Sequence, residues 1–365
     1  MPIASTPYND LPHLPPDVDF DQIDILKLVN KANIALSRLD GQTSVAFRTY
    51  SNAMLLARTF TVREAVDSSG VENVHTTVRD VLESRALNEE DLTPEQKETR
   101  GYMDSMLEGM VQIKENGFLN TNSFIALQAK LGLPQTGIRN LPGYVIANRD
   151  TGEIYYTPPE GVGLIRDLLR DFENYFNGDE EDGIDELIKV AIMHYQFEAI
   201  HPFSDGNGRT GRILMALYLV QKGRLAYPVL FLSDYILNHR SEYYRALRAV
   251  TFENKWIEWV KYILNAIIEQ SEKTTQAIRA INELRESFRE RLPDDIPKPR
   301  IPLLMDYIFT NAAFSKEQFA EGLVIHQNTA ATYLHALENS NLIKSIRRKN
   351  KLIYYVPEFV DIIKQ

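Results

Sequence analysis

The sequence predicts a mainly all-α protein with one small β-hairpin in its middle and a separate unit at its C-terminal end. Apolar residues recur at helical spacing along most of the chain. Only one internal segment breaks that pattern, where two β-prone runs flank Asp150-Thr151-Gly152. A proline-rich stretch at 293–302 is then followed by a change to short helical and β-prone runs. With 365 residues, 44% of them hydrophobic, the chain has material for two or three domains and a sizeable core.

Residues 1–19 hold five prolines and no regular period, which predicts an extended arm lying on the body or partly disordered, with order beginning near Asp21. Ile23, Ile25, Leu26, Val29, Ile34, Leu36 and Leu39 then mark a first helix, and similar patterns run through 58–84, 96–116 and 120–130. Residues 1–110 form an N-terminal helical region in this reading. The hairpin at 143–157 lies against helices, because a lone hairpin is only marginally stable. An acidic loop at 178–182 leads into an apolar helix over 184–197, and a second helix over 209–221 follows a polar loop. Helices continue over 240–252 and 256–292 and close a central domain at 111–292. The last of them carries Ile278, Ile281, Leu284, Phe288 and Leu292 on one stripe that calls for a partner, so a homodimer is expected. Residues 293–302, with four prolines, read as a linker to a domain at 303–365.

Composition narrows the class. No apolar run approaches the roughly 20 residues needed to span a bilayer, and MPIASTPYNDLPHLPP has no basic-then-apolar signal pattern, so no membrane role and a cytoplasmic location are expected. The absence of cysteine excludes disulfides, thiolate nucleophiles and cysteine metal sites. A formal net charge of -10 argues against nucleic-acid binding by the whole surface.

The stretch His201-Pro-Phe-Ser204-Asp205-Gly206-Asn207-Gly208-Arg209-Thr210-Gly-Arg212 places a base, a carboxylate, three glycines and two arginines at a helix start. That inventory suits a polyphosphate. Gly206 and Gly208 permit the backbone angles that aim successive N–H groups at one anion, and the helix N-terminus adds positive potential. Arg209 and Arg212, three apart, share a helix face and each can grip phosphate oxygens through two parallel bonds. Asp205 is placed to hold Mg²⁺, which takes one or two carboxylates with phosphate oxygens and water. His201 is the natural general base for a hydroxyl. The chain lacks GxxxxGK[ST], which excludes ordinary P-loop chemistry.

The loop resembles the Fic family signature HxFx[DE]GNGRxxR at every specified position: His201, Phe203, Asp205, Gly206, Asn207, Gly208, Arg209 and Arg212. The resemblance implies a Fic-type helical bundle that moves AMP from ATP onto a Tyr, Thr or Ser hydroxyl of a protein. In that scheme His201 deprotonates the target, Asp205 holds Mg²⁺, Asn207 and the glycines hold the α-phosphate, and the arginines hold the outer phosphates. The implied ATP-binding stretch includes Ser204 and Thr210, and Phe203 anchors the loop in the core. The hairpin resembles the family's flap, which aligns a target segment by strand addition and here involves Tyr144, Val145 and Ile146. Tyr243 and Tyr244 fall where related enzymes place tyrosines near the adenosine, or else pack in the core.

Upstream, Ser68-Ser-Gly-Val-Glu72-Asn73 matches the family's inhibitory pattern [ST]xxxE[GN], on a helix expected at about 62–84. A Glu72 carboxylate paired with Arg212 would occupy the charge that the γ-phosphate needs. In some relatives the same glutamate supports removal of AMP, so de-AMPylation is a second expected direction. Residues 314–356 resemble a winged helix-turn-helix with a basic tip at Arg347, Arg348, Lys349 and Lys351. The competing function is therefore a nucleotide-sensing, DNA-binding regulator. Against it, the helix at 326–339 has no Lys or Arg.

Overall fold

The computed structural model describes residues 2–47, 53–147, 151–178 and 182–364. In chain order its helices are α1 (Ile23–Phe47), α2 (Ala53–Val71), α3 (Val78–Ser84), α4 (Pro94–Asn116), α5 (Thr121–Lys130), α6 (Val162–Asn177), α7 (Glu186–Ile200) and α8 (Asn207–Gln221). They continue with α9 (Ser233–Asn238), α10 (Arg240–Glu253), α11 (Trp256–Glu290), α12 (Ile301–Asn311), α13 (Lys316–Gly322), α14 (Gln327–Asn339) and α15 (Pro357–Lys364). The strands are β1 (Ile146–Ala147), β2 (Ile154–Tyr156), β3 (Ala313–Ser315), β4 (Lys344–Arg348) and β5 (Lys351–Tyr355). The chain divides into two compact units, one of residues 1–37 with 104–271 and one of 38–103 with 272–365. The proline-rich stretch at 293–302 lies inside the second unit.

In the first unit, α7 is the central element. Every residue from Leu187 to Phe197 is buried, which is why this helix reads as apolar all round rather than amphipathic. It packs against α6 and α8. Helix α6 offers one stripe, with Ile165, Leu168, Leu169, Phe172 and Phe176 buried. Phe124 of α5 meets Phe172 and Phe176 edge-on at 5.5 and 5.8 Å, and Phe172 lies 5.6 Å from Phe197 of α7. Such offset and edge contacts are the favoured aromatic geometry. The N-terminal arm takes the first of its two expected forms and lies on this body. Leu11 and Phe20 are buried, the Gln196 amide donates to the Pro12 carbonyl at 3.0 Å, and Tyr8 N–H donates to the Thr157 carbonyl at 3.0 Å.

The hairpin pairs β1 with β2, Ile146 opposite Tyr156 and Ala147 opposite Ile154, with an irregular register between. Residues 148–150 of its expected turn, and 179–181 of the expected acidic loop, lie outside the described residues.

The second unit joins the N-terminal helices α2 and α3 to the C-terminal elements, with α12 and α15 packed on α2 and α15 on α3. Its sheet has the order β3-β5-β4, all antiparallel. Gly322 of α13 lies flat on the Tyr307 ring, where an added Cβ would come within 2.0 Å of the ring edge. Two sequence expectations change here. The helix expected at about 62–84 is interrupted, because α2 ends at Val71, Asn73 takes φ 62, and the Asn73 and Val74 N–H groups close back onto the Gly70 and Ser69 carbonyls. Thr77 then caps a new helix by accepting from the Asp80 N–H. The stripe on α11 finds its cover within the chain, since Ile278, Ile281, Leu284 and Phe288 are buried and Phe288 meets Phe309 of α12 at 5.4 Å. Leu292, the last residue of the stripe, is half-buried.

The basic tip is largely engaged as well. Arg348 pairs with Glu83 at 2.5 Å, Lys349 with Asp91 at 3.0 Å, and Lys351 donates to Asn88 at 2.8 Å and to the Ala86 carbonyl at 3.2 Å. Glu83 is itself buried, at 2% side-chain exposure, and also takes Arg79 at 2.7 Å. Arg347 is exposed. Replacing Arg348 by alanine leaves a buried carboxylate short of a donor and is expected to lower stability by about 1–3 kcal/mol, whereas Arg347→Ala stays within about 0.5 kcal/mol. Urea unfolding of the two variants checks this.

Candidate active site

The site is built on the connection between α7 and α8. Helix α7 ends at His201, whose φ of 48° and ψ of 59° are left-handed, with its N–H returned to the Phe197 carbonyl at 3.0 Å. This conformation costs a non-glycine residue roughly 1–2 kcal/mol, so something must hold it. Arg139 supplies part of that hold. Its guanidinium donates to the carbonyls of His201 at 2.7 Å, Pro159 at 2.5 Å and Ile200 at 3.3 Å, and its N–H donates to the Pro202 carbonyl at 2.9 Å. A cation here satisfies carbonyls that α7 leaves without helical partners and suits the negative end of the helix dipole.

Phe203 turns inward, fully buried 6.1 Å from Phe197, and so fixes the loop to the aromatic core. Asn207, 2% exposed, then closes the loop: its amide oxygen accepts from the Phe203 N–H at 2.8 Å and its amide nitrogen donates to the Phe203 carbonyl at 2.8 Å. The resemblance implies a contact of this side chain with the α-phosphate; in the structure both its amide atoms hold the Phe203 backbone. Gly206 has φ 85° and caps α8, and a Cβ there would come 2.7 Å from Leu133. Both its angle and its space therefore require glycine. Gln128 of α5 supports the same turn from below, donating to the Asp205 and Gln135 carbonyls at 3.1 and 2.9 Å and accepting from Gly137 N–H at 3.1 Å.

The charged groups are arranged by depth. Arg209 and Arg212 are buried, at 4% and 3% exposure, while the Asp205 side chain is 57% exposed and takes Arg209 at 2.8 Å and the Gly206 N–H at 2.6 Å. Thr210 is buried, and Ser204 and Gly208 are half-buried. Among the described residues no group of three or more His, Asp or Glu side chains is able to hold a metal on its own. Asp205 fits Mg²⁺ only in the mode where one exposed carboxylate shares the ion with phosphate oxygens and water.

His201 is half-buried, and its Nδ1 lies 3.3 Å from the Glu198 carbonyl. A carbonyl only accepts, so this contact places the proton on Nδ1 and the lone pair of a neutral ring on Nε2. The Tyr144 ring lies 5.5 Å from the imidazole, and its hydroxyl donates to the Ser204 carbonyl at 3.0 Å. The structure thus brings the hairpin's leading residue to the histidine. Val145 is exposed and Ile146 half-buried.

The tyrosine pair splits. Tyr243 is buried, its ring tilted against Trp259 at 5.7 Å and Tyr262 at 6.1 Å and its hydroxyl 2.8 Å from Nε2 of the buried His194, while Tyr244 is 42% exposed. Burial, and then the nearby Arg212 charge, push the His194 pKa down to about 3, so that ring is neutral in the folded protein. Ser68 is buried, Glu72 half-buried and Asn73 exposed, and all three belong to the second unit. Sequence reasoning missed Arg139 and Gln128, since each acts on carbonyls more than 60 residues away.

Residues 118–219 match the Fic/DOC family, and residues 26–111 match the model described as Fic/DOC family N-terminal. The chain is a Fic/DOC family protein. A protein named protein adenylyltransferase Fic from Aedes aegypti is 26% identical over 287 residues, which are 75% of this chain and 50% of that protein. Its counterpart from Culex quinquefasciatus is 31% identical over 36% of this chain and 25% of its own length. The chain thus spans no more than half the length of these relatives. A solved Fic domain containing signaling protein from Bacteroides thetaiotaomicron is 14% identical, with a TM-score of 0.50 over 67% of this chain and 97% of that one, and shares the fold.

Because Asn207 makes two buried hydrogen bonds, Asn207→Ala is expected to destabilise the protein by about 2–3 kcal/mol, measured by denaturant unfolding without any ligand. A side chain reserved for nucleotide would leave stability unchanged. His194 predicts a pH dependence. Its folded pKa lies below its unfolded value near 6.5, so the stability it contributes is complete above about pH 6.5 and is lost as pH falls toward 3. That loss runs at up to about 1.4 kcal/mol per pH unit. Urea midpoints at pH 7 and pH 5 should fall further in the parent than in His194→Gln.

Proposed function

We propose that this chain is a protein adenylyltransferase, which transfers AMP from ATP to a Tyr, Thr or Ser hydroxyl of a protein target, its own chain included. The observation that carries this reading is the placement of His201, its Nδ1 3.3 Å from the Glu198 carbonyl, at one end of a loop whose other end holds two buried arginines. Relatives named protein adenylyltransferase support it.

In the proposed reaction Nε2 of His201 takes the proton of the target hydroxyl as its oxygen attacks the α-phosphorus, and pyrophosphate leaves. The glycine N–H groups and the N-terminus of α8 face the α-phosphate, and Arg209 and Arg212 take the outer phosphates. Their burial means that these charges act with little screening by solvent. Mg²⁺ bound with Asp205 would neutralise charge on the phosphates. The target segment lies along the hairpin beside Tyr144, and Tyr244 stacks near the adenine.

Glu72 is the proposed brake. It follows the last residue of α2, where the helix dipole disfavours a carboxylate and a cation partner is welcome. Pairing with Arg212 would displace the γ-phosphate and turn the triphosphate out of line, and the same carboxylate would serve removal of AMP by water. The DNA-binding alternative is the less favoured reading: of its basic tip Arg348, Lys349 and Lys351 have partners within the chain, and Arg347 is exposed.

The test is label transfer to protein from ATP labelled at the α- or γ-phosphate, with Mg²⁺, for the parent, Glu72→Gly, and Glu72→Gly combined with His201→Ala. The expected result is transfer from the α position only, raised about tenfold or more by Glu72→Gly and lost with His201→Ala. Transfer of γ label would mean kinase chemistry, and no transfer in any variant would end the proposal.

A further inference from the structure

Helix α10 is described throughout, and of its side chains Tyr243, Ala249 and Val250 are buried. Tyr243 thus carries the burial of the first two turns. Its hydroxyl meets Nε2 of His194 on α7 at 2.8 Å. The His194 ring stacks on Trp259 of α11 at 5.9 Å, and the Trp259 indole N–H donates in turn to the Ala191 carbonyl at 2.7 Å. A Cβ on Gly211 of α8 would come 3.2 Å from His194 Nδ1, so the α8 backbone closes on that edge of the ring. One imidazole is therefore held by α8, α10 and α11 together.

An imidazole is an unfavourable filler for such a place. His194 is 2% exposed, its Nδ1 has no hydrogen-bond partner among the described residues, and burial with the Arg212 charge keeps the ring neutral. A phenyl ring would occupy much the same volume with no polar atom to desolvate. What the imidazole adds is a directional bond, and that bond goes to Tyr243.

Tyr244 follows Tyr243 on α10, stands edge-on to the Tyr243 ring at 5.1 Å, and has the Arg240 guanidinium over its own ring at 5.7 Å. Side chains on one helix keep fixed relative directions, so the anchoring of Tyr243 sets the face that Tyr244 and Arg240 present. An aromatic ring and a guanidinium plane both offer a stacking surface to a purine.

We propose that His194 is a positioning residue for the nucleoside end of the nucleotide: through its bond to the Tyr243 hydroxyl it fixes the start of α10, and with it the stacking surface of Tyr244. This role rests on the ATP-binding reading of the site, and it gives His194 no contact with the reacting atoms.

Titration calorimetry with Mg²⁺, using ATP and inorganic triphosphate as separate probes, tests this in the full chain carrying Glu72→Gly, where the proposed brake does not compete. Adding His194→Phe is expected to weaken ATP roughly tenfold and to leave inorganic triphosphate within about twofold, since the arginines are untouched. His194→Gln keeps a polar partner for the hydroxyl and is expected to hold ATP within about threefold of the Glu72→Gly chain. Tyr243→Phe should reproduce the loss, and combining it with His194→Phe should add nothing to either alone, because both remove one bond. Equal loss of ATP and triphosphate marks a general loosening of the site and overturns the proposal, as do unchanged ATP affinity in His194→Phe and additive losses in the double variant. ATP binding without label transfer defeats the transferase reading and leaves this role standing, whereas absence of ATP binding in the Glu72→Gly chain defeats both.

Discussion

The two hydrogen bonds between the Asn207 amide and the Phe203 backbone close the loop that joins α7 to α8, and the loop's other supports act on that closed shape. They convert a glycine-rich stretch, entropically costly to order, into a closed ring with one defined shape. The ring is positioned by burial, since Phe203 joins the cluster of Phe124, Phe172, Phe176 and Phe197 contributed by α5, α6 and α7. Displacement of that cluster would move the imidazole and the arginines together. The aromatic core and the candidate site are therefore one mechanical object.

Electrostatics follow from the same closure. An acidic protein holds Arg139, Arg209 and Arg212 at 4% exposure or less around one loop. Arg139 is satisfied by carbonyls, and burial lowers its pKa from the ordinary value without removing its charge. Arg209 leans on Asp205, whose exposed carboxylate is the movable member of the pair. The effect reaches His194, which burial and the Arg212 charge keep neutral. Buried charges fixed in place by the fold need less reorganisation to meet an opposite charge than exposed ones do.

What the sequence showed, and what it hid, sorts by distance along the chain. The loop was legible because its base, carboxylate, glycines and arginines are contiguous between His201 and Arg212. The main helices were legible because an amphipathic or wholly apolar period survives without knowledge of neighbours. Arg139 and Gln128 were not, because a residue that serves remote carbonyls leaves no local pattern. The stripe from Ile278 to Phe288 announced that it needed cover but not that α12 would provide it. The partners of the basic tip, Glu83, Asn88 and Asp91, lie some 260 residues upstream and leave no trace in its local pattern. The break after Val71 was missed because Asn73 takes a left-handed conformation that sequence alone signals weakly.

These contacts change what the C-terminal elements do in the proposed scheme. They pack on α2 and α3, the segment that carries Ser68, Glu72 and Asn73, and they hold Glu83 with Arg348. A brake of the proposed kind is a tethered carboxylate competing with a γ-phosphate for Arg212. Its strength depends on effective concentration, which for a short flexible tether is in the millimolar range and is greatest when the tether's reach matches the span. The phosphate brings more charge and more acceptor oxygens than one carboxylate, so a loosely held Glu72 would lose that competition. A stiffly held one would not. In that scheme the elements that brace α2 and α3 would bear on the brake without touching nucleotide, since they would set how much conformational freedom Glu72 retains.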